Sequence, residues 1–160
     1  MKALLVVISL LLSTAALAQS RAQTEFAQLK SLAGSWEGKT AKGQPVKVDY
    51  QLTSGGSALM STIHEHGDMI SMFHLDGPDK LLLTHYCSMG NQPRMVATTS
   101  PDGKTVTFKF LDVTNLSSPD SGRMDSVVIA MADANHHTEQ WNFKDHDKTV
   151  TEVFELQRKN

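Results

Sequence analysis

The sequence predicts an all-β protein, an up-and-down antiparallel β-barrel of about 8–10 strands with a short N-terminal helix. From Gly34 onward, apolar and polar residues alternate with a period of two, which is typical of half-buried strands. Turn signals rich in Gly, Pro, Asp and Asn recur about every ten residues, the spacing of a meander. Closing such a meander into a barrel removes its exposed edges.

Residues 1–18 have the pattern of a cleavable secretory signal peptide. Lys2 supplies a positive start, an apolar run follows from 3 to 12, and Ala16-Leu17-Ala18 forms an A-x-A cleavage site. The apolar run is shorter than the roughly 20 residues of a membrane span, so stable membrane insertion is not expected. A periplasmic or secreted location is therefore predicted.

The mature chain, residues 19–160, is expected to form one domain. It carries 14 basic and 17 acidic side chains, a net charge of −3 with neutral histidines. No basic stripe is present, which argues against nucleic acid as a partner. Cys87 is the only cysteine, so no internal disulfide can form and the fold must depend on core burial.

The first predicted element of the mature chain is a short helix. Residues 19–23 are expected to be a loose leader, and Thr24 is expected to cap the helix with Glu25 in its first turn. Gly34 is expected to end it. The residues that share one face at helical spacing are Phe26, Leu29, Leu32 and Ala33.

Ten strands are expected after this helix, with a longer loop at 112–123. His136 and His137 fall at the turn before the ninth strand and are expected to be solvated. The predicted strands are 36–39, 46–53, 58–64, 69–75, 81–87, 94–99, 106–110, 123–131, 137–143 and 149–157.

Two residues favour barrel closure. Trp36 opens the first strand and Arg158 ends the last, and these strands are neighbours in a closed barrel. The Arg158 guanidinium could then lie on the indole face, an interaction worth about 0.5–2 kcal/mol. Alternatively, Trp36 is an ordinary core aromatic and Arg158 a solvated tail residue.

Gly34-Ser35-Trp36, preceded by a short helix and followed by a meander, resembles the G-x-W start of lipocalins and their calycin relatives. Arg158 is similar to the arginine that closes on the tryptophan in that family. The wider layout also resembles exported bacterial proteins with a lipocalin-like barrel. This resemblance implies that a small, mostly apolar molecule binds inside the barrel, although fold alone does not establish function.

The richest chemistry lies in 84–95, where His85, Tyr86, Cys87 and Arg94 surround one turn. If Arg94 points into the barrel, it needs a buried partner, which a ligand carboxylate could supply. Alternatively, Arg94 lies outside and the turn is a solvated rim. His85 and Cys87 could also form a nucleophilic pair, or Cys87 could be a small core residue.

Histidine spacing raises a metal hypothesis. His64 and His66 share one strand face, as do His85 and Cys87. Two-residue turns in both hairpins would pair Ile70 with His85 and place His64 on the face opposite to His85. A turn one residue longer would reverse that result, because a one-residue slip exchanges the two faces of a strand.

Three functions remain open from the sequence. The first is a binder of a hydrophobic or amphipathic molecule, including an anionic one, with Trp36 and methionines in the wall and His85, Tyr86 and Arg94 near the mouth. The second is an enzyme that uses His85 as acid or base and Arg94 to orient an anion. The third is a haem or metal binder that uses His64 or His85. The sequence identifies no cofactor.

Overall fold

A computed structural model describes residues 19–64, 67–99 and 103–159, which form a closed barrel of ten antiparallel strands and one α-helix. The predicted signal peptide, residues 1–18, and His66 lie outside the described residues. Within the described part, no helix is long and apolar enough to cross a membrane. The elements are α1 Arg21–Lys30, β1 Gly34–Thr40, β2 Pro45–Thr53, a 3-10 turn Ser54–Gly56, β3 Ala58–His64, β4 Asp68–Asp76, β5 Lys80–Tyr86, β6 Gln92–Thr99, β7 Thr105–Thr114, β8 Arg123–Met131, β9 His136–Asp145 and β10 Lys148–Arg158.

The helix begins earlier than predicted. Ser20, not Thr24, is the N-cap, and it forms a capping box in which its hydroxyl accepts from Gln23 N–H and the Gln23 side chain accepts from Ser20 N–H. The expectation that 19–23 is a loose leader is therefore wrong, because the helix begins at Arg21 and the box satisfies two N–H donors at its start. The buried residues of α1 are Ala22, Glu25, Phe26 and Leu29.

Helix α1 lies over one end of the barrel, called here the helix end. The Ser20 hydroxyl donates to the Pro78 carbonyl in the β4–β5 turn. The Gln28 amide donates to the Gly103 carbonyl in the β6–β7 connection. The opposite end, called here the mouth, holds the β7–β8 connection at 115–122.

The predicted contact between Arg158 and Trp36 is present where the first and last strands, β1 and β10, pair and close the barrel, a junction called here the β1–β10 seam. The two residues are opposite each other in register, and the Arg158 guanidinium carbon lies 4.3 Å from the centroid of the Trp36 ring. The guanidinium also donates to the carbonyl oxygens of Ser31, Ala33 and Ala134. One side chain thus ties the helix C-terminus, the seam and the β8–β9 turn together.

The β1–β10 seam also requires a glycine in the middle of β1. A Cβ atom at Gly38 would lie 1.8 Å from the backbone oxygen of Glu155 on β10. No side chain can occupy that space, so this position admits the close backbone approach that only glycine permits.

The hairpin registers differ by one residue from those expected. In the β4–β5 hairpin Asp76 pairs with Lys80, so three residues form the turn and Ser71, not Ile70, pairs with His85. A three-residue turn needs a residue with positive φ, and Gly77 supplies it at 69°.

The β3–β4 hairpin is also one residue longer than expected, since His64 pairs with Asp68. Gly67 has a φ of 94° there. The two one-residue differences cancel, so His64 and His85 lie on opposite faces, the arrangement that two-residue turns in both hairpins would also have given. His64 is on the outer face, and His85 points into the barrel with no exposed area.

Apolar side chains fill most of the barrel interior. Four methionines, Met69, Met95, Met124 and Met131, belong to this core or pack against it, as expected for side chains that fill irregular apolar space. The core residues contributed by the strands are Trp36, Val46, Val48, Tyr50, Leu59, Ile63, Phe73, Leu81, Leu83, Met95, Val106, Phe108, Val127, Ile129, Trp141, Phe154 and Leu156.

Candidate functional site

A row of polar side chains crosses four neighbouring strands on the inner face of the barrel. Tyr50 on β2 is paired with Ser61 on β3, Ser61 with Ser71 on β4, and Ser71 with His85 on β5. Cross-strand partners bring their side chains within about 4.5–5.5 Å of each other. The Ser71 hydroxyl and His85 Nδ1 are 2.9 Å apart and form a hydrogen bond.

A buried glutamate faces this row from the other side of the barrel. Glu139 on β9 has no exposed area, and its carboxylate accepts three hydrogen bonds. The Tyr50 hydroxyl and His137 Nε2 donate to Oε1 at 2.6 and 3.2 Å, and Trp141 Nε1 donates to Oε2 at 2.8 Å. The Tyr50 bond joins β2 to β9 across the barrel interior.

The two groups together form what is called here the interior polar belt. All of its members are at most 4% exposed, and most of the core around them is apolar. Such burial is unusual for polar side chains, which stay inside a protein only when they are hydrogen-bonded or serve a function. The belt consists of Tyr50, Ser61, Ser71, His85, His137, Glu139 and Trp141.

Burial changes the titration of two members of the belt. Burial lowers the pKa of His85 to about 4, although the Glu139 charge acts in the opposite direction. His85 is therefore neutral at neutral pH. Burial also raises the pKa of Tyr50 well above its usual value, and the carboxylate of Glu139 raises it further.

Two ring nitrogens of the belt have no hydrogen-bond partner among the described residues. These are His85 Nε2 and His137 Nδ1, and both are inaccessible to solvent. The Ser61 hydroxyl lies close enough to Tyr50 to oppose the rise in its pKa, but it makes no hydrogen bond of good geometry. A buried polar group without a partner costs about 1–3 kcal/mol, so these atoms are candidates for contact with a bound molecule.

Aromatic rings surround the belt. The His85 and Trp141 ring centroids are 5.0 Å apart, and Trp36 meets His137 edge to face at 4.2 Å. Phe73 lies 6.5 Å from the Tyr50 ring. These centroid distances are typical of favourable contacts between aromatic rings, so aromatic side chains line the belt.

The structure places only some of the residues predicted for the site inside the barrel. Trp36 and His85 are both buried inside the barrel. Tyr86 is 49% exposed. Arg94 lies on the outer face of the barrel, where its guanidinium forms a bidentate ion pair with Asp112. The hypothesis that Arg94 points inward and needs a ligand carboxylate is therefore wrong, because Asp112 already supplies its partner.

No hydrogen bond given for the described residues joins Cys87 or His64 to the interior polar belt. Cys87 is buried with a free thiol at the end of β5. His64 lies on the outer face, where Nε2 is 2.8 Å from Asp49 and Nδ1 is 2.9 Å from Asp68. Burial alone would raise the pKa of Asp49, but hydrogen bonds from Lys47, Ser35 and His64 lower it to about 2.

The sequence interpretation missed most of the belt. His137 was expected to be solvated in a turn, but it lies inside β9 and is 1% exposed. A signal for it exists, since His137, Glu139 and Trp141 alternate along one strand and must share a face. Ser61 and Ser71 gave a weaker signal, because small polar residues are common on either face of a strand.

Two further regions of the described structure lie outside the belt. At the mouth, buried Asn91 donates to the Gly122 carbonyl and so holds the β7–β8 connection. A groove of about 460 Å³ runs along the outer face of β1, β10 and β9, beside Glu37, Lys39 and His136. We favour the belt as the site, because the groove is open to water and its lining, which includes His137, does not reach His85, whose buried Nε2 has no partner.

No protein-family model matches this chain, and no curated protein matches it. Among solved structures, the chain is similar to Rv2717c from M. tuberculosis. The TM-score is 0.61 with 16% sequence identity, over 84% of this chain and 97% of that chain. At this identity the likeness shows the barrel fold alone. Membership of the lipocalin family stays a prediction.

Proposed function

We propose that this chain is an exported binding protein that holds a small hydrophobic or amphipathic molecule inside its barrel. The observation that carries the proposal is the interior polar belt with its unpaired nitrogens. A bound polar group would satisfy His85 Nε2, and the apolar interior would take the rest of the molecule.

The methionines support an interior that adapts to a ligand. Met95 lies in the core, and Met69 and Met124 pack against it. Methionine has three rotatable bonds and can repack around an incoming group at low cost. Room for a ligand would therefore come from side-chain movement.

The export part of the proposal comes from residues 1–18, with their positive start, short apolar run and A-x-A site. A periplasmic or secreted protein meets ligands that arrive from outside the cell. The enzyme alternative has weaker support, because a His85 pKa of about 4 is far from the neutral value that suits general acid–base catalysis.

Native mass spectrometry with an absorbance scan tests the proposal. The full chain, with its own signal peptide of residues 1–18, is produced in a bacterium and purified from the periplasm. A second, heavier species that loses a small molecule on denaturation is expected in the wild type, and it should be depleted in His85→Phe. His64→Phe is the matched control, since it makes the same change on the outer face.

Equal retention of the molecule by both variants would place the site elsewhere. A wild-type protein that stays unliganded even after incubation with a host-cell extract would contradict the proposal. Absorbance bands of haem, or a mass shift of a metal ion, would support the third hypothesis instead.

A further inference from the structure

Among the described residues, the barrel interior contains acidic groups but no lysine or arginine that could balance a bound anion. Glu139 is fully buried in the belt, and Glu25 is 8% exposed on the inner side of α1. No lysine or arginine among the described residues is buried. An anion placed at the belt would be desolvated beside the Glu139 carboxylate, which is strongly unfavourable. The Arg158 guanidinium on the far side of the Trp36 ring already donates to three carbonyl oxygens.

Glu139 is also unavailable as a partner for a cationic ligand. Its two oxygens already accept from Tyr50, His137 and Trp141, which fix the carboxylate in place. A cation would have to displace one of these donors and leave it buried without a partner. Both signs of charge are therefore disfavoured at the belt.

The atoms that remain available suit a neutral group. His85 is uncharged at neutral pH, and its free Nε2 either donates or accepts, depending on how Nδ1 and the Ser71 hydroxyl share their proton. A hydroxyl group can donate or accept, so it matches either tautomer of His85. A carboxylate can only accept.

The lining around these atoms is aromatic. Trp141 lies against His85, and Phe73 meets Phe108 with ring centroids 5.4 Å apart. Ring-shaped ligands gain additional stacking energy from such walls.

We infer that the ligand belongs to the uncharged hydroxylated aromatics, the class of phenols, with its hydroxyl on His85 Nε2 and its ring among the aromatic side chains of the belt. This inference rests on the proposed function and narrows it to one ligand class. It replaces the anionic ligand that an inward-pointing Arg94 would have implied.

Three probes of similar shape test this inference by isothermal titration calorimetry with the wild-type chain at pH 7. They are 2-naphthol, which is neutral, 2-naphthoate, which is an anion, and naphthalene, which lacks a polar group. We expect 2-naphthol to bind at least about tenfold more tightly than 2-naphthoate, because an unpaired buried charge costs more than one factor of ten. It should also bind more tightly than naphthalene.

Variants locate the interaction. His85→Phe should abolish the preference for 2-naphthol over naphthalene, whereas His64→Phe should keep it. The comparison among probes in the wild type does not depend on how well either variant folds.

The possible failures are distinguishable. If none of the three probes binds, the inference of a phenol ligand fails, whereas the proposed function fails only if the wild type also stays unliganded in the mass-spectrometry experiment. If 2-naphthoate binds as tightly as 2-naphthol or more tightly, the interior still binds ligands but the inference of a neutral class is wrong. Loss of that 2-naphthoate binding in Arg123→Gln would move the site to the mouth, where the Arg123 guanidinium lies over Phe110.

Discussion

Replacing Tyr50 by phenylalanine removes one donor from the buried carboxylate of Glu139 and leaves the aromatic ring in place. The lost bond is short, at 2.6 Å, and both residues are at most 4% exposed. Hydrogen bonds to charged groups contribute about 1.5–3 kcal/mol, so Tyr50→Phe should lower the free energy of unfolding by about 2 kcal/mol. At a urea m-value of about 2 kcal/mol/M, the midpoint should fall by about 1 M.

Urea denaturation followed by tryptophan fluorescence measures this change well. The chain has two tryptophans, Trp36 and Trp141, and both are at most 2% exposed, so unfolding moves both into water. The control is Tyr86→Phe, at the only other tyrosine, which is half exposed and should change the stability by less than about 0.5 kcal/mol. Equal effects of the two substitutions, or no effect of Tyr50→Phe, would refute the role given to the Glu139 bond.

Three further predictions concern the seam and the belt. Arg158→Lys should lower the free energy of unfolding, measured in urea, by about 2 kcal/mol. Lysine cannot make the contact with the Trp36 ring and the three hydrogen bonds to carbonyl oxygens at the same time. An unchanged urea midpoint would contradict this. Gly38→Ala should lower the free energy of unfolding by at least about 2 kcal/mol, because the alanine Cβ would overlap the Glu155 carbonyl. Normal yield and stability of this variant would show that β1 and β10 do not pack as closely as described. Between pH 7 and pH 5, the free energy of unfolding should fall by about 2 kcal/mol more in the wild type than in His85→Phe. The reason is that His85 has a pKa near 6.5 in the unfolded chain and about 4 in the folded protein, so only the unfolded state takes up a proton in this range. Parallel pH profiles of the two proteins would refute this.

The barrel itself could be predicted because it depends on short-range patterns. Alternation from Gly34 onward and regular turn signals identify strands without knowledge of their partners. The contact of Trp36 with Arg158 followed from closure alone. The predicted start of the helix at Thr24 was wrong, because Ser20 and Gln23, three residues apart, form a capping box that begins the helix earlier.

The candidate site was harder to predict because it depends on register and on partners distant in sequence. The dense stretch at 84–95 suggested one cluster, but adjacent strand residues point to opposite faces, so His85 went inward and Tyr86 outward. Tyr50 and Glu139 are 89 positions apart and meet only across the closed barrel. No local pattern records that contact.

A crystal structure of the protein loaded with 2-naphthol, or with the molecule that co-purifies from the periplasm, tests the central claim most directly. We expect electron density for the ligand inside the barrel, with one of its polar atoms at hydrogen-bond distance, about 2.6–3.2 Å, from His85 Nε2. Density in the outer groove beside Glu37 and His136, with the interior polar belt unchanged, would contradict it.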